Sequence, residues 1–213
     1  MSVVSRIIAK LHGGPIQRYR REMEPYERSV LQAARANLLA DVRGHVLEIG
    51  AGLGQSFPSY PPETQVTAIE PFEVFRLEAE RKALDSQLNI QVQDGDAHRL
   101  QFADASFDGL FCSIVVCSLR DPSVALVEMK RVLKPGSPAR FLEHVRSSNP
   151  AVVAMQFALN PVWAAFDGSG CSITLDTTSI IKNAGFTIEG ATALEIPGII
   201  GMIFPGFEIY ARA

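Results

Sequence analysis

The residues best suited to hold a ligand lie in one short run, Val46-Leu47-Glu48-Ile49-Gly50-Ala51-Gly52-Leu53-Gly54. An apolar run that leads into three alternate glycines is typical of a buried strand followed by a tight turn. Glycine permits positive φ angles and lets the main chain approach a ligand with no Cβ in the way. Enzymes that bind dinucleotides use a similar turn with the spacing GxGxxG. Here the third glycine, Gly54, comes one residue early.

Three carboxylates, one before these glycines and two further along the chain, indicate which cofactor the turn binds. Glu48 directly before the turn would repel a pyrophosphate but would attract the ammonium and sulfonium of S-adenosylmethionine. Glu70 follows about twenty residues later, at the end of the second predicted strand, where it can accept both hydroxyls of a ribose. Asp96 could accept a hydrogen bond from an adenine amino group, although an Asx-turn explains the same stretch equally well. The sequence therefore favours S-adenosylmethionine as cofactor over a dinucleotide.

Strands and helices alternate after the first 43 residues. The apolar pattern predicts strands at 45–50, 65–70, 90–93, 109–116, 139–144, 186–190 and 208–211, and helices at 72–84, 122–133 and 177–184. Asp121 and Pro122 supply an N-cap and a first-turn proline. Residues 16–40 predict one or two amphipathic helices, with a break at Pro25. The last two strands, joined by a loop with no helix, are expected to form an antiparallel hairpin at one edge.

This order predicts an α/β fold, in which a mostly parallel sheet is covered by helices on both faces. We expect one domain over residues 1–213. It comprises an N-terminal helical cap (1–43), a cofactor-binding core (44–145), and a substrate-side helix with the terminal strands (146–213).

The composition excludes several classes of protein. The chain has 213 residues, of which 47% are hydrophobic and 20% charged, as in an ordinary globular domain. A net charge of −3 gives no overall attraction to nucleic acid. The three cysteines lack metal-ligand spacing, so no metal is expected, and they fit a reducing cytoplasm. No signal peptide or transmembrane anchor is expected.

Taken together, these motifs resemble the class I S-adenosylmethionine-dependent methyltransferases. The matching residues are Val46 to Glu70, Asp96-Ala97, Phe107-Asp108, Leu133-Lys134-Pro135-Gly136 and Phe141. The resemblance implies a Rossmann-like sheet of seven strands with an antiparallel last strand. It also implies a cofactor site formed by Glu48, Gly50, Ala51, Gly52, Gly54, Glu70, Pro71, Asp96, Ala97, Cys112 and Ser113.

A narrower resemblance is to the membrane-associated methyltransferase-like group that methylates alkyl thiols. It is carried by Tyr19, Met23, Cys117-Ser118, Glu143-His144-Val145, Asn160-Pro161-Val162-Trp163 and Phe166-Asp167-Gly168. The long hydrophobic N-terminal anchor of that group is not expected here, and Gly168-Ser169-Gly170-Cys171 has two residues between a glycine and a cysteine that are adjacent in the group. The expected function is methyl transfer to a small, fairly apolar acceptor, and a thiol is one candidate for that acceptor. A lipid or quinone-like acceptor, a non-catalytic cofactor-binding protein and an NAD-dependent oxidoreductase are the alternatives.

Three residues are candidates for direct roles in the reaction, and a fourth, Tyr19, is a candidate for binding the cofactor. His144, at the end of the fifth strand, could act as a base or orient the substrate, or it could be structural. Asp167 could orient His144 or accept a proton itself. Cys117 should lie near the transferable methyl, although cysteines in apolar strands are usually buried hydrophobes. Tyr19 could belong to a lid over the cofactor, and ordinary packing explains it equally well.

Two apolar segments, 151–166 and 194–204, are candidates for contact with the substrate or with lipid. Both are too short or too interrupted to span a bilayer. They could build an apolar substrate pocket or a surface that contacts lipid. The expected partner is a small-molecule acceptor, with peripheral membrane contact as an alternative, no nucleic acid, and an oligomeric state that the sequence leaves open.

Overall fold

The computed structural model describes residues 14–167 and 170–213. Its centre is a sheet of seven strands in the order β3-β2-β1-β4-β5-β7-β6. The strands are β1 (His45–Ile49), β2 (Gln65–Ile69), β3 (Asn89–Gln93), β4 (Gly109–Ser113), β5 (Pro138–His144), β6 (Thr187–Ala193) and β7 (Gly206–Arg212). Strands β3, β2, β1, β4 and β5 run parallel, whereas β7 is antiparallel to both β5 and β6. The Rossmann-like fold and its antiparallel last strand are confirmed.

Helices cover the sheet and connect its strands. They are α1 (Pro15–Tyr26), α2 (Gln32–Leu39), α3 (Glu73–Asp85), α4 (Pro122–Val132), α5 (Pro150–Asp167), α6 (Thr177–Asn183) and α7 (Gly198–Ile203). The predicted N-cap is confirmed, because the Asp121 carboxylate accepts from the Val124 amide at 3.2 Å. The prediction of no helix between β6 and β7 is wrong, since α7 lies there. Within the part of the chain that the structure describes, no helix combines the length and apolarity needed to cross a bilayer.

The predicted break at Pro25 takes the form of a widened turn. Helix α1 continues through Pro25 to Tyr26, and a π-helical turn, Glu27–Leu31, then joins it to α2. Proline has no N–H to donate to the preceding turn, which weakens the helix locally. The Ser29 hydroxyl donates to the Pro25 carbonyl at 2.7 Å, in the turn that follows. The N-terminal helices therefore form a continuous arm rather than two separate units.

Alternation along the strands divides the core into two layers. Leu47 and Leu110 point toward α4 and α6, where they pack with residues such as Leu126. Val46 and Phe111, their neighbours in sequence, point to the other face, which α2 and α3 cover. Both layers are apolar and buried, so the sheet has the two-sided burial of a central parallel sheet.

Strand β4 ends three residues earlier than predicted. The apolar run continues to Val116, but the strand stops at Ser113 and Ile114 has a φ of 56°. A positive φ is costly for a β-branched residue, so the surrounding structure must enforce it. The Ile114 amide donates to the Leu142 carbonyl at 2.6 Å, and the amides of Val115 and Val116 turn toward Glu143. Contacts with β5, rather than local preference, thus end the strand.

Candidate active site

The carboxyl ends of the parallel strands meet at one edge of the sheet. Strands β1, β2, β4 and β5 there deliver Gly50, Glu70, Ser113 and His144, respectively. Ligands of open α/β sheets bind outside the carboxyl ends of the strands. The structure thus brings the predicted cofactor residues and the predicted base to the same edge.

The glycine turn after β1 is fastened to the end of β2. The amides of Gly50 and Ala51 both donate to the Ile69 carbonyl, at 2.9 and 3.0 Å, and the Gly54 amide donates to Ala51 at 2.8 Å. Gly50 has a φ of 70°, and a Cβ there would lie 2.4 Å from a methyl carbon of Val115. No other residue fits this position without displacement of the turn after β4. The turn is thus bonded to the end of β2 on one side and packed against Val115, after β4, on the other.

Gly52 and Glu70 form the part of the turn that borders open space. Gly52 has a φ of 55°, and a Cβ built on it meets no atom within 4 Å. Its amide donates to the Glu70 carboxylate at 2.9 Å, and the amide of Phe72, after the exposed Pro71, donates at 3.0 Å. Burial raises the pKa of Glu70, and the two amides oppose that shift. A fixed carboxylate beside open space suits the paired hydroxyls of a ribose.

Glu48 lies under the turn rather than at its surface. Its side chain is buried, and its two oxygens accept hydrogen bonds from the hydroxyls of Ser56 and Tyr60. Burial raises the pKa of Glu48 to about 7, although both hydroxyls and the charges of Arg35 and Lys82 act in the opposite sense. The predicted attraction of Glu48 for the cofactor stays a prediction, and its contacts give it a role in holding the turn.

The Glu48→Gln variant is expected to remove a pH dependence of stability. The raised pKa means that folded protein keeps, between about pH 4.5 and 7, a proton that the unfolded chain releases, so this group's contribution to stability falls as pH rises. Linkage predicts a change of about 2 kcal/mol between pH 5.5 and pH 8. Urea unfolding at both pH values should show the difference between variant and parent shifting by that amount in favour of glutamine. Glu73→Gln, at an exposed position, is the control; a pH-independent difference for Glu48→Gln would contradict the prediction.

The N-terminal arm packs against this edge. The Tyr19 ring meets Phe75 of α3 at 5.8 Å between centroids, and Arg20 forms an ion pair with Glu78 of α3. Burial raises the pKa of Tyr19 to about 12, and the carboxylates of Glu27 and Glu70 add to the rise while Arg35 opposes it. The Tyr19 hydroxyl is therefore close enough to Glu70, the predicted ribose carboxylate, for the two groups to interact electrostatically. Its role as a lid residue stays a prediction that this placement favours.

The buried Arg35 links the arm to the end of β4. Its guanidinium forms a bidentate pair with Glu27 of the π-helical turn. Its Nε also donates to the Ser113 hydroxyl, at 3.4 Å. Ser113, a predicted cofactor residue, is thus fixed from the arm side.

Asp96 and Ala97, two further predicted cofactor residues, differ in exposure. The Asp96 side chain is exposed, and its carboxylate accepts from the amide and the ring of His98, at 2.9 and 2.6 Å. These hydrogen bonds lower the pKa of Asp96, so it is ionised at neutral pH and can accept from an amino group. Ala97 is buried in the core and can contribute only its backbone. Asp96 thus keeps both open interpretations, an Asx-turn and an acceptor for a ligand.

A buried carboxylate that the sequence did not single out organises the turn after β4. Glu143 accepts from the amides of Val115 and Val116, at 2.8 and 2.9 Å, and from Cys117 at 3.4 Å. The Cys112 thiol donates to it as well, at 3.5 Å. Burial raises the pKa of Glu143 to about 7 against the effect of the amides. Because Cys112 is fully buried, only its backbone can face a ligand at this edge.

Cys117, His144 and Cys171 come together beside this turn, and we refer to them as the sulfur–imidazole cluster. The Cys171 thiol donates to the Cys117 sulfur at 3.4 Å, and its sulfur lies 4.0 Å from His144 Nδ1. The Cys171 contact and burial raise the pKa of the Cys117 thiol well above its usual value. The three residues belong to separate segments of the chain, which is why their spacing in the sequence indicates no cluster.

The two apolar segments meet at the same place. The Phe204 ring lies 4.5 Å from the Trp163 ring and 5.9 Å from the His144 ring, measured between centroids. The carboxamide oxygen of Asn160 accepts from the amide of Ile173 at 3.0 Å, which fixes the segment after Cys171. The half-buried His144 therefore has an aromatic side and a sulfur side. The Asp167 side chain lies outside the described residues, so its pairing with His144 stays a prediction.

Comparison with known proteins identifies the family and agrees with the fold. Residues 47–141 match a family model described as a methyltransferase domain. The chain is 34% identical over 173 residues to thiol S-methyltransferase TMT1B of Homo sapiens, covering 78% of this chain and 70% of that protein. A methyltransferase of Bacillus halodurans C-125 superposes with a TM-score of 0.69 at 18% identity, covering 85% of this chain and 97% of that one. Geranyl diphosphate methyltransferase, solved in complex with S-adenosylmethionine, superposes with a TM-score of 0.67 at 13% identity, covering 85% and 83%.

The carboxyl edge of the sheet suits S-adenosylmethionine, which is bound in the solved geranyl diphosphate methyltransferase. The space beside Gly52 would be filled by any side chain there, and the carboxylate of Glu70, the predicted ribose residue, accepts a hydrogen bond from the Gly52 amide next to it. Asp96 and the backbone at Ser113 lie at the ends of neighbouring strands, on either side of that position. S-adenosylmethionine is the cofactor, and the protein is an enzyme of methyl transfer. The chain belongs to the class I S-adenosylmethionine-dependent methyltransferases.

Proposed function

We propose that this methyltransferase acts on the sulfur of a small, apolar thiol. The observation that carries the proposal is the surroundings of His144, where an imidazole, two aromatic rings and two cysteine sulfurs share one site at the carboxyl edge. Apolar walls with few polar groups are typical of sites for small organic ligands. The 34% identity to a thiol S-methyltransferase points to the same acceptor atom.

The chemistry needs little from the protein beyond alignment. When bound, S-adenosylmethionine supplies the methyl group as a sulfonium whose positive charge is lost in the transfer. A thiol with a pKa near about 8.5 is partly ionised at neutral pH, so its sulfur can attack without a dedicated strong base. Alignment of reacting groups contributes on the order of 7 to 11 kcal/mol in favourable cases. The rings of Trp163 and Phe204 would orient the apolar part of the acceptor beside His144.

Competition among matched acceptors tests the acceptor atom. Thiophenol, phenol and aniline share one ring and differ only in the nucleophilic atom. We expect methyl thioether and S-adenosylhomocysteine to form from thiophenol at least about tenfold faster than methylated product forms from phenol or aniline. The reason is that a thiol is more ionised than a phenol at neutral pH, and its thiolate is a soft nucleophile. Mass spectrometry of the products, with protein-free reactions as blanks, measures this. Methylation of phenol or aniline without thioether would exclude thiol specificity.

A second candidate is an acceptor drawn from a membrane surface, as a lipid or quinone-like molecule would be. Apolar side chains on α5 and α7 are exposed, namely Phe157, Leu159, Val162 and Met202. Exposed apolar side chains that form one patch mark sites of contact with lipid or protein. We propose peripheral membrane contact through these residues, with the cytoplasm as the expected compartment.

Co-sedimentation with liposomes tests membrane contact directly. The parent protein is expected to pellet with vesicles of neutral phospholipid, and Phe157→Ser with Val162→Ser should reduce the bound fraction at least about threefold through lost apolar burial. Leu84→Ser, at an exposed apolar residue of α3, is the matched control. Equal binding by parent and double variant would place the contact elsewhere, and no binding together with activity on a soluble thiol would exclude the lipid alternative.

A further inference from the structure

The sulfur–imidazole cluster has the composition of a metal site. Two thiols and one imidazole, from Cys117, Cys171 and His144, have ligand atoms that all lie within 4.8 Å of one another. Thiolate and imidazole are the ligands that zinc prefers in proteins. We propose that these three residues form a binding site for one Zn²⁺ ion.

Two of the three distances between the ligand atoms lie close to those of tetrahedral coordination, and the third is within 4.8 Å. With zinc–sulfur bonds of about 2.3 Å and zinc–nitrogen bonds of about 2.05 Å, ideal geometry separates two sulfur ligands by about 3.8 Å and a sulfur from a nitrogen by about 3.6 Å. The sulfurs of Cys117 and Cys171 are 3.4 Å apart, and Cys171 Sγ is 4.0 Å from His144 Nδ1. Both distances differ from the ideal by about 0.4 Å, which small rotations of the side chains can supply.

Each ligand is held by its own segment of the fold. Cys117 lies in the short 3₁₀ turn Val116–Ser118, whose amides are fixed by Glu143. His144 is the last residue of β5, and its carbonyl accepts from the Thr177 hydroxyl at 2.8 Å. The residue after Cys171, Ser172, donates its amide to the Cys117 carbonyl at 2.8 Å. Fixed ligands lose little conformational entropy on binding a metal, which favours affinity.

Three protein ligands are the number found in catalytic zinc sites, where water or substrate is the fourth ligand. The cluster lies at the edge of the sheet where the acceptor is expected, and zinc-bound thiols lose their proton at neutral pH. We assign the fourth position to the acceptor thiol, which releases its proton to solvent on binding. Its sulfur then forms the bond to the methyl carbon as the sulfonium carbon–sulfur bond breaks. This assignment of the fourth ligand rests on the proposed thiol methylation, whereas the metal site does not.

Zinc binding by the reduced, tag-free chain tests the site without any activity measurement. The chain is incubated with ZnCl₂, desalted and analysed for metal by mass spectrometry, and its affinity is measured by competition with a chromophoric chelator. We expect about one zinc per chain, and affinity at least about 100-fold weaker for Cys117→Ser, Cys171→Ser and His144→Ala, because each removes one of three ligands. Cys112→Ser is the matched control, since Cys112 is buried but bonds Glu143 outside the cluster.

Cobalt provides a measurement that needs no variant. Co²⁺ bound to the parent protein should show thiolate-to-metal charge-transfer absorption, which zinc should abolish. Folded, reduced protein that retains less than about 0.1 zinc per chain, or cobalt bound without thiolate absorption, would overturn the site. Unchanged affinity in a folded Cys117→Ser or Cys171→Ser variant would overturn it as well. Because metal alone is the probe, a bound zinc in a chain that fails to methylate thiols would refute the proposed function and leave the site standing.

Discussion

A Gly52→Asn variant is expected to fold like the parent protein and to bind S-adenosylmethionine at least about 100-fold more weakly, a loss of about 2.7 kcal/mol. Gly52 has a positive φ, and its absent side chain would point into space that meets no protein atom within 4 Å. Asparagine adopts positive φ more readily than other non-glycine residues. Its side chain would therefore occupy the space of the ligand while it disturbs the folded protein little.

Isothermal titration with S-adenosylmethionine measures the affinity, and thermal unfolding measures the cost to the fold. A backbone penalty of about 1 kcal/mol corresponds to a fall in Tm of about 2 to 4 °C for a chain of this size. Gly136→Asn is the matched control, since Gly136 also has a positive φ and no atom near a built Cβ but lies before β5, at the opposite edge. Unchanged affinity in folded Gly52→Asn would move the cofactor away from this turn.

The Glu143→Ala variant is expected to lose about 3 to 5 kcal/mol of the free energy of unfolding. The substitution leaves the amides of Val115, Val116 and Cys117 without their acceptor in the interior. A buried donor without a partner costs about 1 to 3 kcal/mol, and a chain of this size has only about 5 to 15 kcal/mol in total. The same substitution would remove the hydrogen bonds that hold the turn carrying Cys117 in one conformation.

Glutamine at position 143 separates hydrogen bonding from packing. Its carbonyl oxygen can keep the two short bonds to Val115 and Val116, which share one carboxylate oxygen, so we expect Glu143→Gln to cost about 1 kcal/mol. Glu63→Ala, which breaks a half-exposed ion pair with Arg43, is the surface control and should cost less than about 1 kcal/mol. Urea unfolding at constant pH measures all three. A cost below about 1 kcal/mol for Glu143→Ala would show that water replaces the carboxylate.

The positions of strands and helices were predictable because they follow local patterns. Apolar runs bounded by glycine and charge gave β1 and β2 within one residue of their ends, and the Asp121-Pro122 pair gave the start of α4. The error at β4 has a different origin. Ile114, Val115 and Val116 are good strand formers, and contacts with Leu142 and Glu143, nearly thirty residues away in sequence, turn them out of the sheet. No local pattern contains those contacts.

The candidate site divides in the same way. The glycine turn and Glu70 carry their chemistry in residue type and spacing, so they could be proposed before the fold was known. Cys117, His144 and Cys171 have no such spacing, since parallel topology and the return of the chain after α5 bring them together. Strand alternation decides the surroundings of Glu48, which lies on the same face of the sheet as Val46, the face that α2 and α3 cover. Ser56 and Tyr60 donate hydrogen bonds to it there.

The position of β7 has a consequence for the order in which this chain can fold during synthesis. Among the described strands β6 pairs with β7 alone, and β7 also covers the open edge of β5. The ribosome releases β6 before β7, so the nascent sheet can assemble from β3 to β5 but must hold β5 uncovered and β6 unattached until about residue 212 has emerged. His144, which pairs with Gly206 and packs against Phe204, is completed in the same late step. A stalled or truncated nascent chain would therefore expose a β-edge that is prone to aggregation, next to an unfinished active site.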